Sequence, residues 1–248
     1  MSEPSADRAL RALAGAVGES RPRRPEDGAD PDIPVAATVV ILRDAPGGVA
    51  VLMIERPDRG SFAGAWVFPG GKLEEADADG GDELATARRA GVRETREETG
   101  LRLDPAGLVP LSCWDPPPGL ALRIRTWFFL APDPGGPLTL APDEVVTAEW
   151  ARPADLLERH ARGELTLYPP TWVTLHELAR QPDVQSILSV ARMGGVRRYE
   201  TVARRGTGGP VLLWEGDAEY DEVAAASGAA SRHRLELATL PWVYTRTD

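Results

Sequence analysis

The stretch RETREETG at residues 93–100 is the feature that most limits how this chain can fold. It predicts the last turns of a helix, because Gly100 suits the left-handed residue that follows a final helical turn. Spacings of three and four then place Glu94, Glu97 and Glu98 on one face, where like charges repel. The same end of a helix carries partial negative charge, which costs an exposed carboxylate about 0.3–1 kcal/mol. Neighbouring arginines offset only part of this cost, so something else in the fold must compensate for the rest.

Composition places the chain among globular proteins with a proper hydrophobic core. Its 248 residues suffice for one large domain or a domain with an appendage, and 42% of them are hydrophobic. No apolar run approaches the ~18 residues that indicate a membrane span. The N-terminus lacks a basic start followed by an apolar block, so we expect no secretory signal and a cytoplasmic protein. The single cysteine, Cys113, excludes an internal disulfide and a cysteine-based zinc site.

The formal net charge of −10 argues against some classes of partner. It disfavours non-specific binding to nucleic acid or to an anionic membrane surface. A phosphorylated small molecule is compatible with this charge only if positive groups lie close to where it binds. We therefore expect a small-molecule ligand, no nucleic acid and no membrane.

The chain divides into three predicted regions. Residues 1–34 are expected to form a flexible N-terminal segment, in which residues 6–17 could form a short amphipathic helix. Residues 18–34 are rich in proline, glycine and charge and have almost nothing to bury. Residues 35–167 carry strand and helix patterns in alternation and form the main domain. Residues 168–248 begin with two helical segments and continue with short strand-like pieces, which predicts an extension packed on the core. Strands and helices mix in an α+β or α/β order.

Several segments of the main domain have the pattern of strands. Two apolar, β-branched runs begin at residues 35 and 49 and flank the turn APGG, which predicts a hairpin. Residues 120–131 alternate, so that apolar side chains face the core while Arg123 and Arg125 face the opposite way. We expect a half-buried strand there.

The helix that carries the acidic stretch is expected to run from about Leu84 to Thr99. Small residues recur on it at every fourth position, at Ala87, Gly91 and Thr95. They form a face that a sheet or a second helix can approach closely.

Three carboxylates on one face, at the negative end of a helix, suit a hard divalent cation. Mg²⁺ takes oxygen ligands in octahedral geometry and keeps several waters, so a few carboxylates and substrate phosphates suffice. Taken alone, however, such a segment is more often a solvated, charged helix face. The glycine-rich turn upstream, WVFPGG, and the order of arginine, glutamate and glycine around the cluster favour the cation site.

The segment from this turn to the end of the helix closely resembles the Nudix box. That pattern is G-x5-E-x7-R-E-U-x-E-E-x-G-U, with U a bulky aliphatic residue, and the preceding VFPGGK is also typical of the family. The flanking strands lie where a Nudix fold would need them. The residues that match the pattern are Gly71, Arg93, Glu94, Glu97, Glu98, Gly100 and Leu101.

The sequence departs from the pattern in two places. Thr95 occupies a position where the family has a bulky aliphatic residue. The pattern puts 13 residues between its glycine and its arginine, whereas 21 lie between Gly71 and Arg93, an insertion of eight. Counting forward from the glycine puts the first glutamate of the box at Asp77, and counting back from the arginine puts it at Ala85. Three acidic residues stay candidates for its role: Asp77, Asp82 and Glu83.

The resemblance implies a Nudix fold, an α+β structure in which a mixed β-sheet lies between helices as an α/β/α sandwich. It also implies a diphosphohydrolase, which cleaves a diphosphate linkage in a nucleoside diphosphate linked to another moiety. Glu94, Glu97, Glu98 and the Gly71 carbonyl would bind Mg²⁺ or Mn²⁺, which would activate a water for attack. Arg93 would orient a glutamate through a bidentate pair.

The general base and the substrate contacts are less specified by the resemblance. Glu144, in PDEVVTAEW, lies where some family members keep the base, although an exposed loop acid explains it equally well. Arg56, Arg123 and Arg125 are candidates for contact with the substrate phosphates, because an acidic site needs positive groups nearby. Ordinary surface arginines are the alternative for each.

The sequence leaves the substrate open. TWFFLAPDP and LYPPTWVTLHELA resemble stretches of the peroxisomal coenzyme A diphosphatase branch and its bacterial relatives, so coenzyme A or acyl-coenzyme A is one option. ADP-ribose, NADH and nucleoside triphosphates are others, and a homodimer is open because family members are often dimers. A different class is a catalytically silent Nudix-like domain that senses a nucleotide or holds a partner, with residues 168–248 delivering the response.

Overall fold

The computed structural model describes most of the chain from Ser20 onward. The described residues are 15, 18, 20–24, 26–27, 30, 32–60, 62–120, 123–221 and 231–247. Of the helix expected over residues 6–17, only Gly15 falls within them. None of the helices in this part of the chain is long and apolar enough to cross a lipid bilayer.

The strands and helices are numbered in chain order over the described residues. The strands are β1 (Val35–Ala45), β2 (Gly48–Glu55), β3 (Trp66–Val67), β4 (Gly70–Lys72), β5 (Val109–Asp115), β6 (Arg125–Pro132), β7 (Thr147–Ala151), β8 (Arg197–Glu200), β9 (Val202–Gly206), β10 (Gly209–Leu213), β11 (His233–Glu236) and β12 (Val243–Arg246). The helices are α1 (Glu83–Thr99), α2 (Pro153–Ala161), α3 (Pro169–Leu178) and α4 (Val184–Gly194).

These strands form two sheets. In the larger sheet the order is β3-β2-β1-β6-β5-β8, with β4 also paired with β1 and β7 with β2. β1 runs parallel to β6 and β5 parallel to β8, whereas the other pairs are antiparallel, so the sheet is mixed. The smaller sheet has the order β12-β11-β10-β9. The hairpin predicted at APGG is confirmed, with Ala45 opposite Gly48.

The larger sheet is buried on both faces. Val39 and Ile41 of β1 pack in one hydrophobic cluster with Ala87 of α1. Val40 and Leu42 point the other way and pack in a second cluster with α2, α3, α4 and the smaller sheet. This division follows from the period of two along a strand. The predicted α+β sandwich, with a mixed sheet between helices, is therefore confirmed.

Strand β6 differs from its prediction. It begins at Arg125 rather than at residue 120, and it lies inside the sheet between β1 and β5. Arg125 does not face solvent, because it is 7% exposed and its guanidinium lies 2.8 Å from Asp115 and 3.1 Å from Glu83. The prediction of a half-buried strand was wrong because both faces of this inner strand are covered. The alternation had indicated a polar face that does not exist.

The C-terminal residues add to the larger sheet. The two helices predicted after Tyr168 are confirmed as α3 and α4. Strand β8 pairs with β5, and Trp114 of β5 stacks on Tyr199 of β8 with 3.7 Å between the ring centres. Trp214, which follows β10, meets both rings edge-on. Residues after 168 thus share a core with the rest, and the domain boundary at that position stays a prediction.

The described part of the N-terminal segment contacts the body of the protein. The Arg21 N–H donates to the Pro118 carbonyl at 3.1 Å, and the Ser20 hydroxyl donates to the Ala203 carbonyl at 3.3 Å. Asp27 is 4% exposed, and the hydrogen bond from Arg21 lowers its pKa to about 2. The composition of this segment had indicated almost nothing to bury.

Helix α1 ends at the predicted glycine and begins after a capping aspartate. The Asp82 side chain accepts a hydrogen bond from the third residue of the helix, and Gly100 follows the last residue with a left-handed φ of 77°. The small face is confirmed, because Ala87, Gly91 and Thr95 are buried. This face brings the C-terminal half of α1, with its glutamates, close to β1.

Replacement of Gly91 tests this close approach. A β-carbon at Gly91 would lie 3.0 Å from the Cγ2 atom of Val39, so Gly91→Val should lower the free energy of unfolding by about 1–3 kcal/mol through overpacking. Gly194, the last residue of α4, has open space around its α-carbon. Gly194→Val is the helical control and should change stability far less. Urea unfolding measures both, and equal effects would contradict the packing described here.

Candidate active site

Two glycines bring strand β4 against helix α1. Gly70 and Gly71 pair with Thr38 and Ala37 of β1. Gly70 has a φ of 155°, and a β-carbon there would collide with the β1 backbone. A β-carbon on Gly71 would collide with the carboxylate of Glu94. Only glycine therefore lets the backbone lie this close to the carboxylates of α1.

Glu98 is the most deeply buried carboxylate of the predicted cluster, with a side chain 2% exposed. Its Oε2 atom accepts a hydrogen bond from the Gly70 N–H at 2.8 Å, and its Oε1 atom lies 3.5 Å from Arg56 Nη1. Burial raises the pKa of Glu98 to about 8, although the Gly70 hydrogen bond and the Arg56 charge both act to lower it. The two donors offset the desolvation only in part. A further positive charge would stabilise the ionised side chain.

Glu144, the predicted general base, lies within electrostatic reach of the cluster. After the larger effect of burial, its charge contributes to the raised pKa of both Glu94 and Glu98. The loop that carries it is tied to the end of α1. There the Ala141 N–H donates to the Glu98 carbonyl at 3.2 Å, and the Glu144 N–H donates to the Ala141 carbonyl at 3.1 Å. The Glu144 side chain is exposed, so a bound molecule can reach it.

Arg93 connects Asp77 to the glutamates. Its guanidinium donates to both carboxylate oxygens of Asp77, at 3.1 and 2.9 Å. Its Nη1 atom donates to Glu94 at 2.9 Å and to Glu97 at 3.1 Å, and Nη2 donates to the Lys72 carbonyl at 2.9 Å. The bidentate pair expected between Arg93 and a glutamate is thus formed with an aspartate instead, and the glutamates receive single bonds.

Of the three candidates for the first glutamate of the box, Asp77 is the one joined to the cluster. Burial raises its pKa, but hydrogen bonds from a guanidinium and a backbone N–H outweigh this and hold the pKa below its usual value. Asp82 instead caps the start of α1, where it accepts from the Ala85 N–H at 2.8 Å. Glu83 pairs with Arg125. The insertion therefore lies between Asp77 and the arginine of the box, and part of it builds the start of the helix.

The three helix glutamates do not converge on one point. Among the residues that the structure describes, no three His, Cys, Asp or Glu side chains are arranged so as to hold a metal ion. Glu97 turns toward Arg93, Glu98 turns inward to the strand, and Glu94 lies against the glycine turn. That these glutamates bind a divalent cation therefore stays a prediction. The donors themselves are all oxygen atoms, partly buried and mutually repelling, which fits a hard divalent cation.

The three candidate arginines lie in different places. Arg56 borders the cluster through Glu98. Arg123 pairs with Asp30 at 3.1 Å. Arg125 is buried between two carboxylates near the start of α1, about three turns from the glutamates. The structure brings only Arg56 of the three to the cluster.

The glycine turn, the buried glutamates and the pair between Asp77 and Arg93 all lie in one segment that matches a known family. The family model of the NUDIX domain matches residues 32–171, more than half of the chain. The chain belongs to the Nudix family. Members of the Nudix family generally cleave pyrophosphate bonds and generally use divalent metal ions.

Individual Nudix proteins are similar over part of the chain. The curated Caenorhabditis elegans protein nudix hydrolase 1 is 31% identical over 124 residues, which is 48% of this chain and 29% of that protein. The chain therefore matches less than a third of that relative's length. The crystal structure of a Nudix hydrolase from Alicyclobacillus acidocaldarius is 25% identical with a TM-score of 0.55, and the match covers 64% of this chain and 96% of that one. A MutT Nudix hydrolase structure from Burkholderia pseudomallei is 24% identical with a TM-score of 0.46, covering 59% and 98%.

Asp77 is the residue that sequence reasoning left unassigned in this Nudix box. One signal selects it, because the forward count from Gly71 falls on Asp77 while the backward count falls on an alanine. An insertion between Asp77 and the arginine leaves the glycine side of the box at its usual spacing. The partner of the arginine thus sits where the intact half of the pattern puts it.

Replacement of Asp77 tests whether this pair organises the site. Asp77→Asn keeps the size of the side chain but removes the charge that meets Arg93, so we expect a loss of about 1.5–3 kcal/mol in the free energy of unfolding. Asp79 forms an exposed pair with Arg89 at 2.6 Å, and such pairs contribute little. Asp79→Asn is the matched control, and its urea unfolding midpoint should stay near that of the wild type. Similar losses in both variants would show that the pair between Asp77 and Arg93 contributes no more to stability than an exposed ion pair.

Proposed function

We propose that this chain is a divalent-metal-dependent hydrolase that cleaves the diphosphate linkage of a nucleoside diphosphate bonded to another moiety. The observation that carries the proposal is Glu98, buried and only partly compensated, beside Glu94 and the Gly70–Gly71 turn. A purely structural carboxylate would not be expected to combine this burial with two repelling neighbours. Nudix proteins generally cleave pyrophosphate bonds, and an acidic cluster that binds a divalent cation suits that reaction.

The residues proposed to hold the ion are Glu94, Glu97, Glu98 and the Gly71 carbonyl. When bound, Mg²⁺ or Mn²⁺ supplies charge neutralisation of a diphosphate and an activated water. Ionisation of Glu94 and Glu98, whose pKa values burial raises, accompanies ligation because carboxylates bind metal in the charged form. To bind the ion, Glu97 must give up its hydrogen bond to Arg93. Its side chain is half-exposed and has room to turn toward the ion.

The remaining residues are given roles by their positions. Arg56 sits at Glu98 with its side chain 32% exposed, so it can turn toward an incoming phosphate while it stays near the cluster. Glu144 is exposed on a loop anchored to the end of α1, which suits a base that takes a proton from the attacking water. Arg93 positions Glu94 and Glu97 through Asp77 rather than by touching substrate.

The identity of the substrate is a finer proposal. Coenzyme A and acyl-coenzyme A come first on the resemblance of two stretches, with ADP-ribose, NADH and nucleoside triphosphates as alternatives. Trp127 of the first stretch, and Trp172 and Leu175 of the second, are buried in the core. Their side chains therefore serve packing, and they give no direct support to a coenzyme A contact.

One observation favours a second candidate, a catalytically silent nucleotide sensor. Arg93 and Arg56 already pair with the glutamates, so the cluster is partly neutralised without an ion. A panel of coenzyme A, ADP-ribose, NADH and nucleoside triphosphates, assayed by product mass with and without Mg²⁺, separates the two. Metal-dependent cleavage of any member supports the hydrolase, whereas tight binding of one member without cleavage of any supports the sensor.

Substitution of the buried glutamate tests the hydrolase proposal directly. Glu98→Gln keeps the shape of the side chain but removes its ionisable charge. We expect kcat to fall at least on the order of a hundredfold, because loss of a mere hydrogen-bond partner of a metal ligand already costs up to about that much. Glu158, an exposed residue of α2 paired with Arg162, provides the control Glu158→Gln with near-normal turnover. Both variants should keep the wild-type circular dichroism spectrum. Near-normal activity of Glu98→Gln on a substrate that the wild type cleaves would remove Glu98 from the catalytic site.

A further inference from the structure

Phe62 has a backbone conformation that its side chain disfavours. Its φ is 61°, and it is the one non-glycine residue with positive φ in the described part of the chain. A glycine would adopt this conformation without strain, whereas a bulky residue rarely does. The residue is also 39% exposed, so it adds little to the core. A strained and exposed aromatic residue points to a use for the ring itself.

The loop that carries Phe62 begins at the candidate active site. The Arg56 N–H donates to the Ala65 carbonyl at 2.9 Å, and the Ala65 N–H donates to the Phe62 carbonyl at 3.1 Å. Two such steps place the α-carbon of Phe62 within about 12 Å of that of Arg56. The Arg56 guanidinium in turn lies against Glu98. Phe62 thus lies on a loop that is hydrogen-bonded to Arg56, the arginine that borders the cluster.

The opposite side of the same loop is fixed to the segment with the proposed base. Arg59 Nη2 donates to the Asp143 carbonyl at 2.5 Å, and Asp143 precedes Glu144. The loop therefore runs between Arg56, which borders the cluster, and the segment that carries Glu144. Movement of Phe62 relative to the cluster is limited at both ends.

Tyr168 holds the Phe62 ring in place. The Trp66 N–H donates to the Thr166 carbonyl at 2.9 Å, which brings the segment before α3 beside the loop. The Phe62 and Tyr168 rings meet edge-to-face, with centres 4.7 Å apart and planes at 86°. Phe62 stays 39% exposed in this arrangement, so part of its ring can meet a further aromatic ring.

We propose that Phe62, supported by Tyr168, is the stacking surface for an aromatic ring in the part of the substrate beyond the diphosphate. A nucleobase is the ring of the right class, and stacking tolerates any base because every base has a π-face. The inference rests on the proposed function, since it places the diphosphate at the glutamate cluster. It assigns to Phe62 the selection of ring-bearing diphosphates over ring-free ones.

ADP and ribose 5-diphosphate test the proposal, because they differ only in the adenine ring. Calorimetry in the presence of Mg²⁺ compares the wild type with Phe62→Leu, which keeps an apolar branched side chain, and with Phe62→Trp, which keeps a ring. Phe62→Leu should weaken ADP binding about tenfold, within the range of base–aromatic stacking, and should leave ribose 5-diphosphate unaffected. Phe62→Trp should retain the affinity for ADP. Val190→Ala, at an exposed apolar residue of α4, is the control and should change neither affinity.

Two results would overturn the stacking role. One is wild-type protein that binds ADP no more tightly than ribose 5-diphosphate, and the other is Phe62→Leu that weakens both equally or neither. The proposed function fails separately. If the wild type cleaves no substrate of the panel but still binds ADP in a way that depends on Phe62, the hydrolase proposal falls and the stacking surface stands. If ADP-ribose is cleaved, Phe62→Leu should raise its KM more than it lowers kcat.

Discussion

The burial of Glu98 is the constraint on which the rest of the site depends. A carboxylate taken out of water needs hydrogen bonds or opposite charge to stay ionised. The Gly70 N–H can approach it because β4 has no side chain there, and Arg56 reaches it from the end of β2. Both compensating groups are distant from α1 in sequence, so the sheet must close around the end of the helix before the site exists. The negative charge that these two groups leave uncompensated is the charge that a divalent cation would neutralise.

Arg93 offsets part of the negative charge at the C-terminal end of α1. Its guanidinium forms a bidentate pair of hydrogen bonds with Asp77, which lies outside the helix. It donates only a single hydrogen bond to each of Glu94 and Glu97. Because the bidentate pair anchors the guanidinium, the single bonds can be exchanged while the arginine stays in position. Asp77 is 4% exposed, so this anchor is protected from water. The same arrangement can hold the glutamates apart and release them to a ligand.

The sequence predicted the parts of the fold that are set locally. Gly100, the hairpin and the bounds of α1 follow from residue types within a few positions of each other, and each was found. Contacts between segments that are distant in the sequence could not be predicted in this way. Arg125 was expected to face solvent because its two partner acids lie far from it in the chain. Thr95 stands where the Nudix pattern has a bulky aliphatic residue, and the structure buries it completely, with no hydrogen-bond partner for its hydroxyl among the described residues.

Direct measurement of Mn²⁺ binding tests the central claim, that the buried carboxylates are arranged for a divalent cation. Free Mn²⁺ gives a strong electron paramagnetic resonance signal that binding removes, so titration of the protein reports occupancy without a substrate. The account predicts that wild-type protein depletes the signal, that Mg²⁺ competes, and that Glu98→Gln depletes it far less. An undiminished signal with the wild type, or equal depletion by Glu98→Gln, would show that these carboxylates serve the fold and not an ion.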